Sequence, residues 1–165
     1  MGNQLRRLTK FILITCIFLT SCSLVTVRER HPQSVSGKNL SPRLMWPVAK
    51  HKVTQKFHYE DSGSPHDGID ISVPKGTRIY APADGRVVYA GQKFRGYGKM
   101  VLIRHSPRIA TLYGHCHKLL VKEGDKVKKG NLIALVGNTG RASAPHLHFE
   151  VRLDRSPVNP LVYLQ

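Results

Sequence analysis

Acidic residues are scarce. The 165-residue chain carries 10 Asp+Glu against 26 Lys+Arg, a formal charge of +16. That balance excludes the profile of an ordinary acidic cytosolic enzyme and points to an anionic neighbour: nucleic acid, a membrane surface or a cell wall. Three cysteines are too few for a disulfide framework. The apolar run Phe11–Leu19 falls well short of the roughly 20 residues that span a bilayer as a helix. There is no P-loop, no heptad repeat and no dinucleotide fingerprint, and Gly96-Tyr97-Gly98 is too short a match to a phosphate-cradling loop to count. No window of helical length carries a 3.6-residue apolar stripe. What is present, 41% hydrophobic residues, suffices for one packed core and is too much for a disordered tail.

The N-terminal stretch has the order of a secretory signal. Arg6, Arg7 and Lys10 precede the apolar run, which ends in the small residues Thr20 and Ser21 before Cys22. Leu19-Thr20-Ser21-Cys22 resembles a bacterial lipobox, which implies cleavage before Cys22 and a lipid on its thiol. Ser23 is not the Asp associated with inner-membrane retention, so in a diderm the resemblance implies the outer membrane, and otherwise the outer face of the cell membrane. Only three basic residues and no acid precede residue 22, so the exported part keeps a charge of +13. Residues 22–43 mix charge, Ser, Pro and Gly without periodicity and read as a linker. The expected organisation is a signal over 1–21, a lipidated linker over 22–43 and one globular domain over 44–165.

From Leu44 onward, short apolar or alternating runs are punctuated by turn chemistry. The runs are Arg78–Ala81, Gly85–Gly91, Lys99–His105, Ala110–Gly114, Asn131–Gly137 and His146–Arg152. Between them lie Asp84-Gly85, Glu123-Gly124-Asp125, Lys129-Gly130 and Asn138-Thr139-Gly140. This spacing predicts an all-β domain, a compact antiparallel β-sandwich or barrel-like sheet.

Nine histidines are the unusual feature. His66 and Asp70 stand four apart around Gly68; on a straight strand they would lie ~13 Å apart, and a bend at Gly68 could bring them together. His146 and His148 alternate, so on a strand they share a face. Zinc accepts His nitrogen and carboxylate oxygen, and hydrolytic sites use three protein ligands with one position left open. Two His and one Asp meet that requirement, and Tyr113-Gly114-His115-Cys116-His117 adds a further imidazole. Each piece alone also reads as surface imidazoles.

Taken in order, His66-Asp-Gly-Ile-Asp70, Pro74-Lys-Gly-Thr77, Ala81-Pro-Ala-Asp-Gly-Arg-Val-Val88, Leu112-Tyr-Gly-His115, Val136-Gly-Asn-Thr-Gly140 and Pro145-His-Leu-His-Phe-Glu-Val151 resemble the lysostaphin/LytM-type zinc metallopeptidases of peptidoglycan. The resemblance covers residues 44–164. It implies the duplicated hybrid-motif fold and one zinc ion held by His66, Asp70 and His148. It makes His115 and His146 the histidines that activate water and stabilise the tetrahedral intermediate. Glu150 shares the strand face of His146 and His148, either orienting a ligand or standing as a plain surface carboxylate. Tyr59 is the one nearby tyrosine upstream of the first ligand, where some members place an oxyanion donor.

Three positions depart from the family pattern. Cys116 replaces the usual Leu, and by alternation its thiol should turn away from the His115 face into the core. His117 shares the His115 face, either lining the groove or, as the plainer reading, facing solvent. Phe57-His58 replaces a frequent Phe-Gly and leaves the local turn open. The function so implied is a membrane-anchored zinc endopeptidase acting on stem peptides or cross-links of peptidoglycan, with lipid on Cys22 as the membrane attachment. The rival is a non-catalytic LytM-type activator of amidases or a wall-binding module. Nucleic acid is not an expected partner, because export and the lack of basic-aromatic interleaving argue against it.

Overall fold

The computed structural model describes residues 43–50, 52–58 and 65–165. The expected signal segment, Cys22, nearly all of the linker and Tyr59 lie outside the described residues. Among the described residues there are ten strands: β1 (Lys52–Gln55), β2 (Ile69–Ser72), β3 (Arg78–Tyr80), β4 (Gly85–Gly91), β5 (Lys99–Arg104), β6 (Ile109–Leu119), β7 (Lys126–Val127), β8 (Leu132–Val136), β9 (His146–Leu153) and β10 (Ser156–Val158). A 3-10 turn, Pro160–Val162, follows them, capped by the Asn159 side chain accepting from Leu161 N–H. Among the described residues no helix is long and apolar enough to cross a membrane.

Every strand pairing is antiparallel, and the main path runs β1-β2-β9-β6-β5-β4-β7. β10 adds to β9, and the β3–β8 pair attaches to the far half of β6. The expected all-β antiparallel class is what the chain adopts. Four strands were not foreseen: KVTQ, KV and SPV, whose short polar runs carry no readable alternation, and IDIS, whose four residues overlap the His66–Asp70 motif. The expected run ending at Gly114 continues to Leu119, since Gly114 and His115 shift the register without ending the strand.

One face of the sheet makes the core. Ile69 and Ile71 of β2, Leu147, Phe149 and Val151 of β9, Tyr113 of β6 and Val101 and Ile103 of β5 are all fully buried there. Each such side chain contributes about 1.5–3 kcal/mol by leaving water. The opposite face of β2 and β9 is thereby left for Asp70, His146, His148, Glu150 and Arg152, as a period of two requires.

Polar groups trapped in the core are paired in a chain. His105 faces the Asp84 carbonyl with Nδ1 (2.8 Å), so that nitrogen carries the proton. Its Nε2 then accepts from the Thr111 hydroxyl (2.8 Å), whose oxygen takes the hydroxyl proton of buried Tyr113 (2.7 Å). Burial lowers the His105 pKa from 6.5, against the pull of the Asp84 and Ala83 carbonyls. The unfolded chain therefore takes up a proton near pH 6.5 that the folded chain resists. Stability from this residue is complete above pH 6.5 and declines as pH falls below it. Urea titrations at pH 7 and pH 5 are expected to show wild type losing its advantage over His105→Gln at the lower pH.

Candidate metal centre

Three ligating atoms meet at one point. Asp70 Oδ1 lies 2.8 Å from His148 Nδ1 and 3.2 Å from His66 Nε2, and the two nitrogens are 3.2 Å apart. Among the described residues this is the only such His/Cys/Asp/Glu group. Pairing of β2 with β9 sets Asp70 directly opposite His148, which explains that half of the cluster. His66 arrives from the bend before β2, where its backbone pairs with His58 (3.0 and 3.3 Å).

Gly68 acts here through close approach and not through a left-handed turn. A Cβ at this position would stand 2.3 Å from the Phe149 carbonyl oxygen and 3.0 Å from Glu150 Cγ. Only a residue without a side chain lets the His66–Asp70 segment lie this tightly on β9.

The far nitrogen of each ligand histidine is anchored. His66 Nδ1 donates to the Lys56 carbonyl (3.0 Å), and His148 Nε2 donates to Glu150 Oε1 (3.1 Å). Both rings thus aim their other nitrogen at the position that Asp70 Oδ1 also faces. Two imidazole nitrogens, each on a ring whose other nitrogen is hydrogen-bonded, and one carboxylate oxygen fit a divalent ion such as zinc. Burial works against charge at Asp70, but hydrogen bonds from His148 and His66 hold its carboxyl far below the usual range. Burial also opposes the charge on His148, yet Asp70 and Glu150 pull its pKa up to about 9. His66 is raised as well, where the Asp70 and Lys56 hydrogen bonds outweigh burial. A cation and protons therefore compete for the same lone pairs.

Glu150 is completely buried. Besides His148 it takes a 2.6 Å bond from the Tyr97 hydroxyl and a 2.6 Å ion pair from Arg152 Nε. Burial raises its pKa, but these partners overcome that and keep it low. Of the two readings open to Glu150 in the sequence, the buried hydrogen-bonded position is the one observed, and the surface position is not.

Two more imidazoles border the triad. His115 and His146 rings lie 4.6 Å apart, His115 sits 5.8 Å from His148, and His146 Nε2 is 3.7 Å from Asp70 Oδ2. Each again gives its Nδ1 proton to a backbone carbonyl, Thr139 for His115 and Ala144 for His146 (both 2.8 Å). Burial, then the nearby His146 and His148, lower the His115 pKa despite the Thr139 carbonyl, so the ring is neutral at pH 7 with a free Nε2 lone pair.

Strict alternation would send His115 into the core beside Tyr113. Its φ of +60° switches the phase instead, so Gly114 and His115 both look toward the site and Cys116 turns inward. This strained residue is held by its own N–H on the Tyr97 carbonyl (2.8 Å). The loops carrying Tyr97 and Thr139 touch backbone to backbone, and a Cβ on Gly98 would meet Gly140 N at 2.5 Å.

Cys116 is fully buried, with its thiol pushed up to about 12 by burial, and His117 is exposed, both as expected. His58 forms the bridge to His66, which answers the open question at Phe57-His58; its Nδ1 is buried without a hydrogen-bond partner. The sequence reading missed Tyr97, Thr139 and Arg152. The one available signal for Tyr97 was the Gly96-Tyr97-Gly98 triplet, set aside because the contacts that give it meaning are remote in the chain.

Three convergent donors that could hold a metal, with two imidazoles beside them on an antiparallel sheet, are a layout shared with metal-dependent hydrolase domains. Within that class, residues 64–160 match peptidase family M23, and the chain belongs to that family, the lysostaphin/LytM type. It is 45% identical to the murein hydrolase activator NlpD of Escherichia coli K12, over 72% of this chain and 30% of that protein. It is 43% identical to the uncharacterized lipoprotein YgeR of the same organism, over 73% of this chain and 46% of that one. The chain thus spans less than half the length of these curated relatives. Among solved structures it is similar to a zinc containing peptidase from Vibrio cholerae, with a TM-score of 0.66 and 36% identity, covering 72% of this chain and 39% of that one.

Two outcomes follow from the geometry. Gly68→Ala is expected to destabilise the domain by about 1–3 kcal/mol in urea unfolding, because β2 and β9 must separate. Glu150→Gln is expected to weaken zinc binding by roughly tenfold or more, measured by competition with a chromophoric chelator, as His148 loses its charged anchor.

Proposed function

We propose that the chain is a zinc endopeptidase that hydrolyses peptide bonds of peptidoglycan, exported as a lipoprotein and held at a membrane through Cys22. The observation that carries the reading is the convergence of His66, Asp70 and His148 with His115 and His146 beside them. His66, Asp70 and His148 would hold the zinc. When bound there, the ion supplies Lewis acidity toward a carbonyl oxygen and lowers the pKa of water.

The remaining chemistry belongs to the chain's own groups. His115, neutral and with Nδ1 committed to Thr139, has Nε2 ready to take a proton from water. His146, committed to Ala144 in the same way, has its Nε2 on the Asp70 side of the site, where it can hold or pass on a proton. The anchors matter because a ring free to flip would present its N–H where a lone pair is needed. Tyr59 remains the proposed oxyanion donor. Peptidoglycan suits the basic surface, since anionic polymer is attracted to a charge of this sign. The relatives named as a lipoprotein and as a murein hydrolase activator support both the compartment and the wall.

The second reading, an activator of a separate amidase, is favoured by the name of NlpD. The two readings part in one assay. Full-length chain with zinc should release soluble muropeptides from purified sacculi, a chelator should stop the release, and His148→Ala should abolish it. His115→Ala should slow it by roughly 10²–10⁴-fold. No release by wild type, together with stimulation of an added amidase, decides for the activator.

A further inference from the structure

Away from the triad, the same side of β9 borders a cleft. The cleft, of about 300 Å³, has an apolar floor that includes Leu102, Ile109 and Ala110, and its rim carries Arg104, Arg152 and Arg155. Arg152 lies four residues from His148 on β9, about 13 Å along the strand. Glu150, buried and bonded to both His148 and Arg152, lies between these two residues on β9.

The charges do not cancel. Arg152 engages Glu150 through Nε alone (2.6 Å). Arg108, also at the cleft, is paired with Asp154 by a fork of 2.7–3.1 Å, which ties the β5–β6 turn to the β9–β10 turn. Arg104 and Arg155 have no ion-pair partner among the described residues.

The backbone supplies a second, independent observation. Asp154 and Arg155 connect β9 to β10 with φ of +50° and +74°. A two-residue hairpin of this hand favours Asn-Gly or Asp-Gly, because both residues must be left-handed. Here an arginine occupies the position that glycine would take without strain, and its side chain lines the cleft. An arginine in a left-handed position that its own backbone disfavours thus stands beside another unneutralised guanidinium group at one cleft.

We propose that this cleft is a carboxylate-binding subsite that holds a free carboxylate of a wall stem peptide, giving the chain a second grip on the polymer outside the metal centre. The choice of peptidoglycan rests on the function proposed above. Guanidinium forks match carboxylate oxygens in bidentate fashion, and the apolar floor receives the aliphatic stem that carries the group. The cleft is concave and of side-chain size, which fits a peptide group better than a broad headgroup layer.

The test is calorimetric titration of the full-length chain with free stem tetrapeptide, with a chelator present so that no turnover contributes. Binding should weaken at least tenfold in Arg155→Gly and in Arg104→Ala, and be lost for the tetrapeptide with its carboxylates converted to carboxamides. Arg155→Gly should also raise the thermal midpoint, because glycine relieves the left-handed strain, so weak binding in that variant cannot be ascribed to misfolding. Unchanged affinity in both variants, or equal binding of the carboxamide peptide, overturns the proposal. So does a variant that keeps the tetrapeptide but no longer binds phosphatidylglycerol vesicles, since the cleft is then a lipid-facing surface. The readout is independent of hydrolysis: a chain that binds the peptide but cuts nothing retains this subsite and loses only the endopeptidase reading.

Discussion

The register of β2 against β9 is the constraint on which the rest depends. Asp70 stands opposite His148 because Ile69 faces Phe149 and Ile71 faces Leu147 on the other side of the same ladder. All four apolar residues are fully buried, so a slip of one position would expose them and send Asp70 and His148 into the core. The hydrophobic effect thus aligns the polar ligands without touching them. Gly68 permits the remaining step, since only its bare backbone lets the His66 bend settle onto β9.

A second layer of control lies in where protons sit. Each histidine around the site has one ring nitrogen committed: His66 to Lys56, His115 to Thr139, His146 to Ala144 and His148 to Glu150. Three of these acceptors are backbone carbonyls, whose positions follow from the sheet and its loops. A side-chain acceptor serves only His148, and it is buried and braced by Tyr97 and Arg152. The ring nitrogens that would meet a ligand consequently face inward before any ligand arrives, which reduces the reorganisation that binding or proton transfer demands.

Much of the domain was legible beforehand. Six strands, β3 to β6 with β8 and β9, follow from runs of apolar residues between turn signals, and His146 and His148 on one face follow from the period of two. Their neighbour Glu150 falls on that face for the same reason. His115 was found by its motif, yet alternation alone would have put it in the wrong layer; its outward position depends on a φ of +60° that no local residue pattern announces. Tyr97 was passed over because a tyrosine between two glycines acquires a role only when the 96–98 loop meets the 137–140 turn. Arg155 carries the opposite lesson, a residue that its own turn disfavours.

From the chain of amino acids alone came the all-β class, the donor residues and the peptidase family, because periodicity and motif spacing are local properties of the text. Folding decided the rest: which nitrogen of each imidazole faces the centre, how a glycine replaces a turn with a close approach, and where unpaired arginines gather. These depend on contacts between residues dozens of positions apart, as with His66 and His148 at 3.2 Å. Such distances are set only once the buried apolar face has drawn the strands into register.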